Sequence, residues 1–419
     1  MAMFSFRSLG LGIPSWLSNL AGGSSSSGIN IPSVQIHDIE ENSEKRARTL
    51  KHLLKANHIN HSIIYNNLRF HNHCPHILGS AYILGADHGQ LNKIYDIESK
   101  ELEQWQDAPG EISIDDWRSF LGKRNYQRAY IDFFEDQLAQ HGYDWREVVD
   151  TFLFEGREPL VNNLICGLAH ALIHLGYAFE LSSQTVAIEA LALTTCFYND
   201  QHKYLDDPSY TKPAADPTTD LLEIFTRMQK DSRFDNVVSQ QNGEEYDTLF
   251  SAPDTEALLL GYWNSWELSE PEKQFEDSQK AAAAMLVGAP SRKDSRYDFF
   301  LVHALTSSHA VRLLLPLVPG KWHLSLIRQW WLFALSAYVM QLRPTIDVSR
   351  VEEYDLKGRG WNYVIDRALN SEFAADAHFV KGCRSLKVAA ETWGDPDQFY
   401  LKAAVRFAAD FNHWGGFSY

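Results

Sequence analysis

The segment Gly167-Leu-Ala-His170-Ala-Leu-Ile-His174-Leu-Gly-Tyr177-Ala-Phe-Glu180 decides the fold class. Its apolar residues recur three and four positions apart, as on a helix, and apolar residues do not alternate with polar ones as in a half-buried strand. Comparable stretches of about ten to twenty residues follow one another from Asn30 onward. The sequence therefore predicts an all-α fold.

The same periodicity places the predicted helices along the chain. Polar loops at 199–217 and 230–250 are flanked by helical segments and read as surface excursions within one large helical domain over 29–419. Residues 1–28, where Gly22 and Gly23 precede four serines, are predicted to be a flexible tail. The predicted helices are 43–57, 73–86, 115–122, 125–141, 145–155, 158–180, 184–198, 218–228, 254–266, 269–285, 297–315, 324–342, 361–369, 371–391 and 397–412.

Composition excludes several classes of protein. The chain of 419 residues has 54 acidic and 38 basic side chains, a net charge of -16, and no Lys/Arg cluster, so nucleic acid is not an expected partner. Its 4 cysteines form no CxxC pair, which argues against a zinc ribbon or disulfide scaffold and favours the cytoplasm. No membrane span is expected. The tail has only Arg7 as a positive charge and no acids, which leaves organelle targeting as an alternative.

His170 and His174 form the clearest candidate metal-binding pair. They are four positions apart, about 40° apart around a helix, so both rings can reach one point. Two imidazoles at this spacing serve one metal in the zincin pattern, although the glutamate of that pattern is missing here. Two core histidines bonded to backbone carbonyls are the alternative.

A second histidine cluster lies in Arg69-Phe-His71-Asn-His73-Cys-Pro75-His76. Pro75 suits the first turn of a helix and Asn72 suits its cap. His73 and His76 would then share a helix face, with His71 in the preceding loop. A polar capping network explains the cluster equally well.

Two further pairs of residues have a spacing that indicates a possible metal site. His303 and His309 are about 240° apart on a helix, so only one can face a given centre, and His303 follows four large apolar residues. His378 and Lys381 are three apart and share a face. A metal would repel an ammonium at Lys381 unless the amine is neutral or has become an anionic carbamate. A core histidine and an exposed lysine are the alternatives.

These motifs together resemble the questin oxidase-like family of fungal aromatic polyketide biosynthesis, which includes enzymes named Baeyer-Villiger oxidases. The resemblance spans roughly residues 40 to 412 and departs from the family pattern at Ala171, where the family has Pro. It rests on Phe70-His71-Asn72-His73 with Leu84-Gly85-Ala86, His170-Ala-Leu-Ile-His174-Leu-Gly-Tyr177, His303-Ala-Leu-Thr-Ser-Ser308 and Asp376-Ala-His378 with Lys381.

The resemblance implies an enzyme that oxidatively opens the quinone ring of an anthraquinone-type polyketide. It also implies a non-heme iron held by several histidines and a carboxylated lysine. Carried onto the matching motifs, the candidate ligands are His170, His174, His303, His378 and Lys381, with His73 as a further candidate.

The cofactor is the point that the family name leaves open. A flavin-type Baeyer-Villiger enzyme that consumes NADPH should show a Gly-rich turn between a strand and a helix, and the nearest strings, Gly10-Leu-Gly12 and Gly358-Arg-Gly360, lack the third glycine. Imidazole-rich ligation suits iron, copper or zinc. Zinc is redox-inert, so an oxidative reaction excludes it as the candidate metal. We therefore expect Fe(II) with dioxygen as co-substrate. An NADPH-dependent Baeyer-Villiger oxidase and a catalytically inactive helical partner remain the alternatives.

The substrate pocket is expected to be lined by aromatic residues, because the sequence contains 12 Trp, 18 Tyr and 23 Phe. His71 or Tyr177 could carry the proton of a substrate phenol. An aromatic stripe at helical spacing is also what plain core looks like. The candidate wall residues are Trp263, Trp266, Phe300, Trp330, Trp331 and Tyr338.

Overall fold

A computed structural model of the chain describes residues 28–241, 249–289 and 296–417. The predicted tail lies outside the described residues except for Gly28. The all-α prediction is confirmed, since helices dominate every described part. In chain order, α1 to α17 are Lys45–Asn60, Cys74–Leu84, His88–Glu98, Gln127–Gln140, Trp145–Val149, His170–Leu181, Gln184–Cys196, Lys203–Asp206, Leu221–Lys230, Pro253–Ser265, Pro271–Gly288, Phe299–Leu314, His323–Met340, Ser349–Glu352, Trp361–Asn370, Ala377–Trp393 and Phe399–Asp410.

Strands within the described ranges are only two residues long. β1 (Ile64–Tyr65) and β2 (Phe70–His71) form an antiparallel hairpin, and β3 (Tyr297–Asp298) pairs in parallel with β4 (Trp414–Gly415). The second pairing ties the C-terminal segment to the start of α12.

Four helices form a closed ring at the centre of the fold. α2 packs on α6, α6 on α12, α12 on α16, and α16 on α2. Every residue of α6 is buried, as expected for a helix that is apolar on all sides. Several of the other helices pack on this ring: α1 and α3 on α2, α7 on α6, α11 and α13 on α12, and α17 on α16.

The predicted helix over 158–180 is wrong in its first half. Only a single 3-10 turn forms at Leu160–Asn163, and α6 begins at His170. Gly167, Leu168 and Ala169 all have left-handed backbone, with φ of 60°, 54° and 59°, and this conformation cannot continue a right-handed helix. The bend brings His170 to the first position of α6.

Other boundaries also differ from the prediction. Residues 115–122 contain only a 3-10 turn at Trp117–Phe120, and α5 continues as a π-turn at Asp150–Phe154. The helix α3 was not predicted, although Asp87 and Gln90 form a capping box at its start. Its exposed polar surface leaves only Leu91 and Ile94 buried, which weakens the periodic signal.

The C-terminal segment is anchored beside α12 by more than the β3–β4 pairing. Gln341 lies beside two acceptors, and with its amide nitrogen assigned to face them it donates to Asp298 Oδ2 at 2.7 Å and to the Gly416 carbonyl at 3.2 Å. Gly416 has φ +92°, and a Cβ there would lie 2.7 Å from Asp298 Oδ2, so only glycine fits.

No helix of the described ranges has both the length and the apolar character that a bilayer crossing requires.

Candidate metal centre

Four histidines converge inside the ring of four helices. His73 caps α2, His170 opens α6, His303 lies on α12 and His378 on α16. The Nε2 atoms of His73 and His170 are 2.9 Å apart, and those of His303 and His378 are 3.2 Å apart. The ring centroids of His73 and His378 lie at 4.5 Å and those of His170 and His303 at 5.1 Å, which joins the two pairs.

Backbone carbonyls fix the tautomer of two of these rings. Nδ1 of His170 lies 2.8 Å from the Gly167 carbonyl, and Nδ1 of His303 lies 2.7 Å from the Phe299 carbonyl. Because a carbonyl can only accept, each Nδ1 carries the hydrogen and each Nε2 presents a lone pair. Metal-ligating histidines are oriented in this way by an outer hydrogen bond.

All four imidazoles are neutral near neutral pH. Burial is the main cause: it lowers the pKa of His73, His170 and His378 well below the usual value and that of His303 to about 3, and the charge on Lys381 lowers each further. Neutral imidazole is the form that binds a metal.

The spacing of the donor atoms fits a single cation. One ligand nitrogen from each of His73, His170 and His378 lies within 4.8 Å of the other two. Nitrogens that share a metal at about 2.0–2.1 Å are themselves about 3 Å apart. Nε2 of His170 presents a lone pair to Nε2 of His73, so their 2.9 Å contact requires either a hydrogen on His73 Nε2 or a cation between the two nitrogens. The donor set therefore fits a transition-metal ion, and its imidazole-rich chemistry excludes calcium and magnesium.

A second layer, made of His76, His174 and Lys381, lies against these four rings. Nε2 of His76 is 2.7 Å from Nδ1 of His174, and Nδ1 of His76 is 3.3 Å from Nζ of Lys381. His174 thus faces His76, and none of its recorded contacts joins it to the four converging rings. His76 was missed as a site residue by the sequence analysis, although its predicted shared face with His73 was the available signal.

Lys381 is 1% exposed, so the alternative of an exposed lysine is wrong. Burial lowers the pKa of its amine to about 7, against the opposing effect of Asp376 and Glu98. A substantial fraction of neutral amine is therefore present near neutral pH.

Beyond His174, a chain of polar side chains leads to the surface. The carboxylate of Glu189, 1% exposed, lies 3.6 Å from Nε2 of His174 and 2.9 Å from Nδ1 of His58. Nε2 of His58 contacts Glu135 at 3.1 Å, whose side chain is 46% exposed. Burial opposes protonation of His58, but the hydrogen bonds to Glu135 and Glu189 raise its pKa to about 9.

The structure separates the two predicted proton carriers. The His71 ring stacks on His170 with centroids 3.7 Å apart, and its buried Nε2 has no hydrogen-bond partner within the described ranges. Tyr177 lies one ring further away: it stacks on His76 at 5.1 Å and its hydroxyl meets Ser80 at 2.5 Å. His71 is therefore the better placed of the two.

The predicted wall residues are mainly core. Trp266, Trp330 and Trp331 pack on one another, and each is at most 2% exposed. Two other aromatic rings contact the centre: the centroid of Phe299 lies 4.5 Å from that of His378, and that of Trp414 lies 6.1 Å from the same ring. Phe300, the predicted wall residue that follows Phe299 in the sequence, packs on Phe299 and Phe417.

A cleft of about 670 Å³ lies elsewhere, and its lining includes none of the histidines of the centre.

The comparison with known proteins agrees with these motifs. The sequence profile of the family described as questin oxidase-like matches residues 70–386, a range that contains all four converging histidines. The chain belongs to the questin oxidase-like family. Similar proteins include Baeyer-Villiger oxidase GME11358 of Pestalotiopsis microspora, 27% identical over 80% of this chain and 79% of that protein.

Two further relatives cover the chain to a similar extent. Baeyer-Villiger monooxygenase AacuH of Aspergillus aculeatus is 25% identical over 86% of this chain and 82% of its own length. Questin oxidase of Aspergillus fumigatus is 25% identical over 81% of this chain and 80% of its own length. This chain is accordingly an oxidoreductase.

Proposed function

We propose that this chain is a non-heme iron-dependent oxygenase that cleaves the quinone ring C–C bond of an anthraquinone-type polyketide. The observation that carries the proposal is the convergence of four neutral imidazoles, two of them fixed with Nε2 as a lone pair. Fe(II) would be held by His73, His170, His303 and His378, with dioxygen as co-substrate. Because the contacts of His174 do not reach the other converging rings, we assign the fourth imidazole ligand to His73 and not to His174.

Bound iron would supply the redox chemistry that lets dioxygen react with a closed-shell aromatic substrate. The protein's part is placement. The Gly167 and Phe299 carbonyls hold two imidazoles in the ligating tautomer, and the four-helix ring buries His170, His303 and His378. His71 would accept the proton of a substrate phenol at its buried Nε2; burial lowers its pKa well below the usual value, which keeps the imidazole neutral but also makes it a weak base.

Lys381 is proposed to complete the ligand set as a carbamate. Its neutral amine adds carbon dioxide to form an N–C bond, and the one proton released passes to the buffer; Nδ1 of His76 lies 3.3 Å from the amine nitrogen. The product is an anion, which would balance part of the metal's charge in a site that otherwise contains only neutral imidazoles. His76 in turn is held by His174.

An NADPH-dependent Baeyer-Villiger oxidase is the second candidate, because several relatives carry that name. A dinucleotide fold needs a strand before its Gly-rich turn. Gly358 and Gly360 lie between α14 and α15, and the nearest described strands are two residues long. The residues that the structure describes offer this candidate no recognisable cofactor site.

The two candidates differ in what turnover consumes. Purified protein is given an anthraquinone, Fe(II), dioxygen and ascorbate, with and without NADPH, and ring-opened product is measured by mass spectrometry. We expect product without NADPH and close to one iron per chain by elemental analysis. One NADPH consumed per product, with activity intact after metal removal, would instead support the second candidate.

A further inference from the structure

Charged side chains also lie inside the ring of four helices, further from the helix starts than the histidine centre. We call them the inner charged group: Glu180 on α6, His309 and Arg312 on α12, and Arg384 on α16. Each of the four is at most 6% exposed. A Cβ added at Gly176 would lie 3.3 Å from the Cβ of Ala310, so α6 and α12 pack closely beside this group.

The inner charged group contains a surplus positive charge. The guanidinium of Arg384 is paired with the carboxylate of Glu180, and this contact counteracts the effect of burial, which raises the pKa of Glu180. The bonds of Arg312 are to neutral acceptors, from Nε to Thr392 Oγ1 at 3.1 Å and from Nη2 to the Ser33 carbonyl at 3.4 Å. Burial lowers the pKa of Arg312 to about 10, so this guanidinium is still charged at neutral pH. Two arginines therefore share one carboxylate.

Several polar atoms of this group are buried without a hydrogen-bond partner among the described residues. They are Nε and Nη1 of Arg384, Nη1 of Arg312, Nε2 of His309 and Oε2 of Glu180. Burial lowers the pKa of His309 well below the usual value, and the charges of Arg384 and Arg312 lower it further. Its neutral imidazole can carry the hydrogen on Nε2. Because unpaired polar atoms are costly when buried, the cluster fits a ligand that accepts several hydrogen bonds and donates one.

We infer that the inner charged group binds one bicarbonate ion. Guanidinium groups bind the oxygens of planar oxyanions with paired N–H donors, and one negative charge balances the surplus. The two unprotonated oxygens of bicarbonate would accept from Arg384, Arg312 and His309, and its hydroxyl would donate to Oε2 of Glu180. Chloride and nitrate have no hydrogen to donate, so they would leave that carboxylate oxygen unpaired and facing an anion. The pattern of donors and acceptors therefore selects a small oxyanion that carries a hydrogen.

The site would lie next to the second layer of the metal centre. Arg384 follows Lys381 by one turn of α16, and its guanidinium carbon lies 5.3 Å from the ring centroid of Tyr177. Tyr177 stacks on His76, whose Nδ1 is 3.3 Å from the Lys381 amine. Bicarbonate gives carbon dioxide when it gains a proton and loses water, and carbon dioxide is what Lys381 is proposed to add. This consequence alone rests on the proposed function; binding of the ion does not.

The test is thermal unfolding of purified full-length protein at about pH 8, in buffer freed of carbon dioxide and with no metal added. Sodium bicarbonate at about 50 mM is compared with sodium nitrate and sodium chloride at the same ionic strength. We expect bicarbonate to raise Tm by about 2 °C or more, because an ion that binds only the folded chain stabilises it by mass action. Nitrate and chloride are expected to leave Tm nearly unchanged. Lys381→Met is measured in parallel, because this variant cannot form a carbamate and should keep the response.

Variants of the charged side chains locate the response. Arg312→Met removes the surplus charge and one unpaired donor, so it should abolish the bicarbonate response. Arg328→Met is the matched control and should keep it: burial also lowers the pKa of Arg328 to about 10, but Nη1 and Nη2 donate to the Trp263 carbonyl and to Asn264 Oδ1 at 3.0 Å each. Glu180→Gln replaces the acceptor by an amide that can donate, so nitrate should then stabilise the protein as bicarbonate does.

Absence of a bicarbonate shift in wild-type protein, or an equal shift with nitrate, would overturn the inference. So would a full response in Arg312→Met, or an equal loss of response in Arg312→Met and Arg328→Met. A response that vanishes in Lys381→Met would belong to the carbamate, which overturns the second site while the proposed function stands. A response that persists in Lys381→Met, in a protein that never holds iron, would support the site although the proposed function had failed.

Discussion

Nδ1 of His58 lies 2.9 Å from a carboxylate oxygen of Glu189, an acid that is 1% exposed. A buried carboxylate is stable only when it is paired, and this imidazole supplies the pairing while Glu135 holds its other nitrogen. The His58–Glu189 contact therefore makes the free energy of unfolding depend on pH. His58 does this without contacting any of the proposed metal ligands.

We expect His58→Gln to destabilise the protein more at about pH 6 than at about pH 10. The pKa of His58 is raised to about 9, so its stabilisation is complete below the unfolded value of 6.5 and is lost as pH rises through about 9. The full effect is about 3 kcal/mol. Urea unfolding at several pH values measures it. His52→Gln, on the exposed face of the same helix, is the control, and an equal penalty at both pH values would contradict the linkage.

Removal of single imidazoles should separate the four converging histidines from the second layer. His170→Ala and His303→Ala are each expected to lose most of the iron, because each removes one of few metal–nitrogen bonds. His174→Ala should lose less, since its ring contacts His76 instead. Elemental analysis decides, with His141→Ala as the control because that ring bonds the Gln137 carbonyl and is not one of the converging histidines. Full iron retention in His170→Ala would remove it from the site.

Variants of Lys381 test whether this side chain provides an anionic carbamate ligand. Lys381→Met keeps an apolar stem without an amine, and Lys381→Arg places a permanent charge beside neutral imidazoles, so both are expected to bind iron weakly. Intact mass under non-acidic conditions should show a carboxyl adduct on wild-type protein that is absent from both variants. Wild-type protein that is iron-loaded and active without any adduct would leave a site made of histidines alone.

Gly167 tests whether the left-handed bend before α6 places the histidines. A Cβ at Gly167 would lie 2.7 Å from the Phe197 ring and 3.1 Å from Nε2 of His71. Gly167→Ala is expected to lower iron content several-fold in addition to a backbone cost of about 1–2 kcal/mol. Gly142→Ala is the matched control, since its φ is +63° and nothing lies near its Cβ. Equal iron content in the two variants would show that the bend does not position the site.

Local patterns predicted the helices that carry the site, and missed what distant packing decides. The spacing of His170 with His174 placed both rings on one buried helix, but tertiary contacts bring His170 to His73 and leave His174 against His76. The left-handed backbone at Leu168 and Ala169 has no signal in their side chains, because neither residue favours that conformation. Likewise, nothing local distinguishes Phe299, which meets the centre, from its buried neighbour Phe300.

The proposed ligands come from remote parts of the chain: His73 and His170 are 97 residues apart, and His303 and His378 are 75 apart. Closing loops of this length costs chain entropy before any contact forms. A nascent chain still lacking α16 cannot assemble the set. An ion that binds only the finished arrangement shifts the unfolding equilibrium by mass action and ties four distant segments together. Retention of the metal would then indicate that all four helices of the ring have folded and packed together.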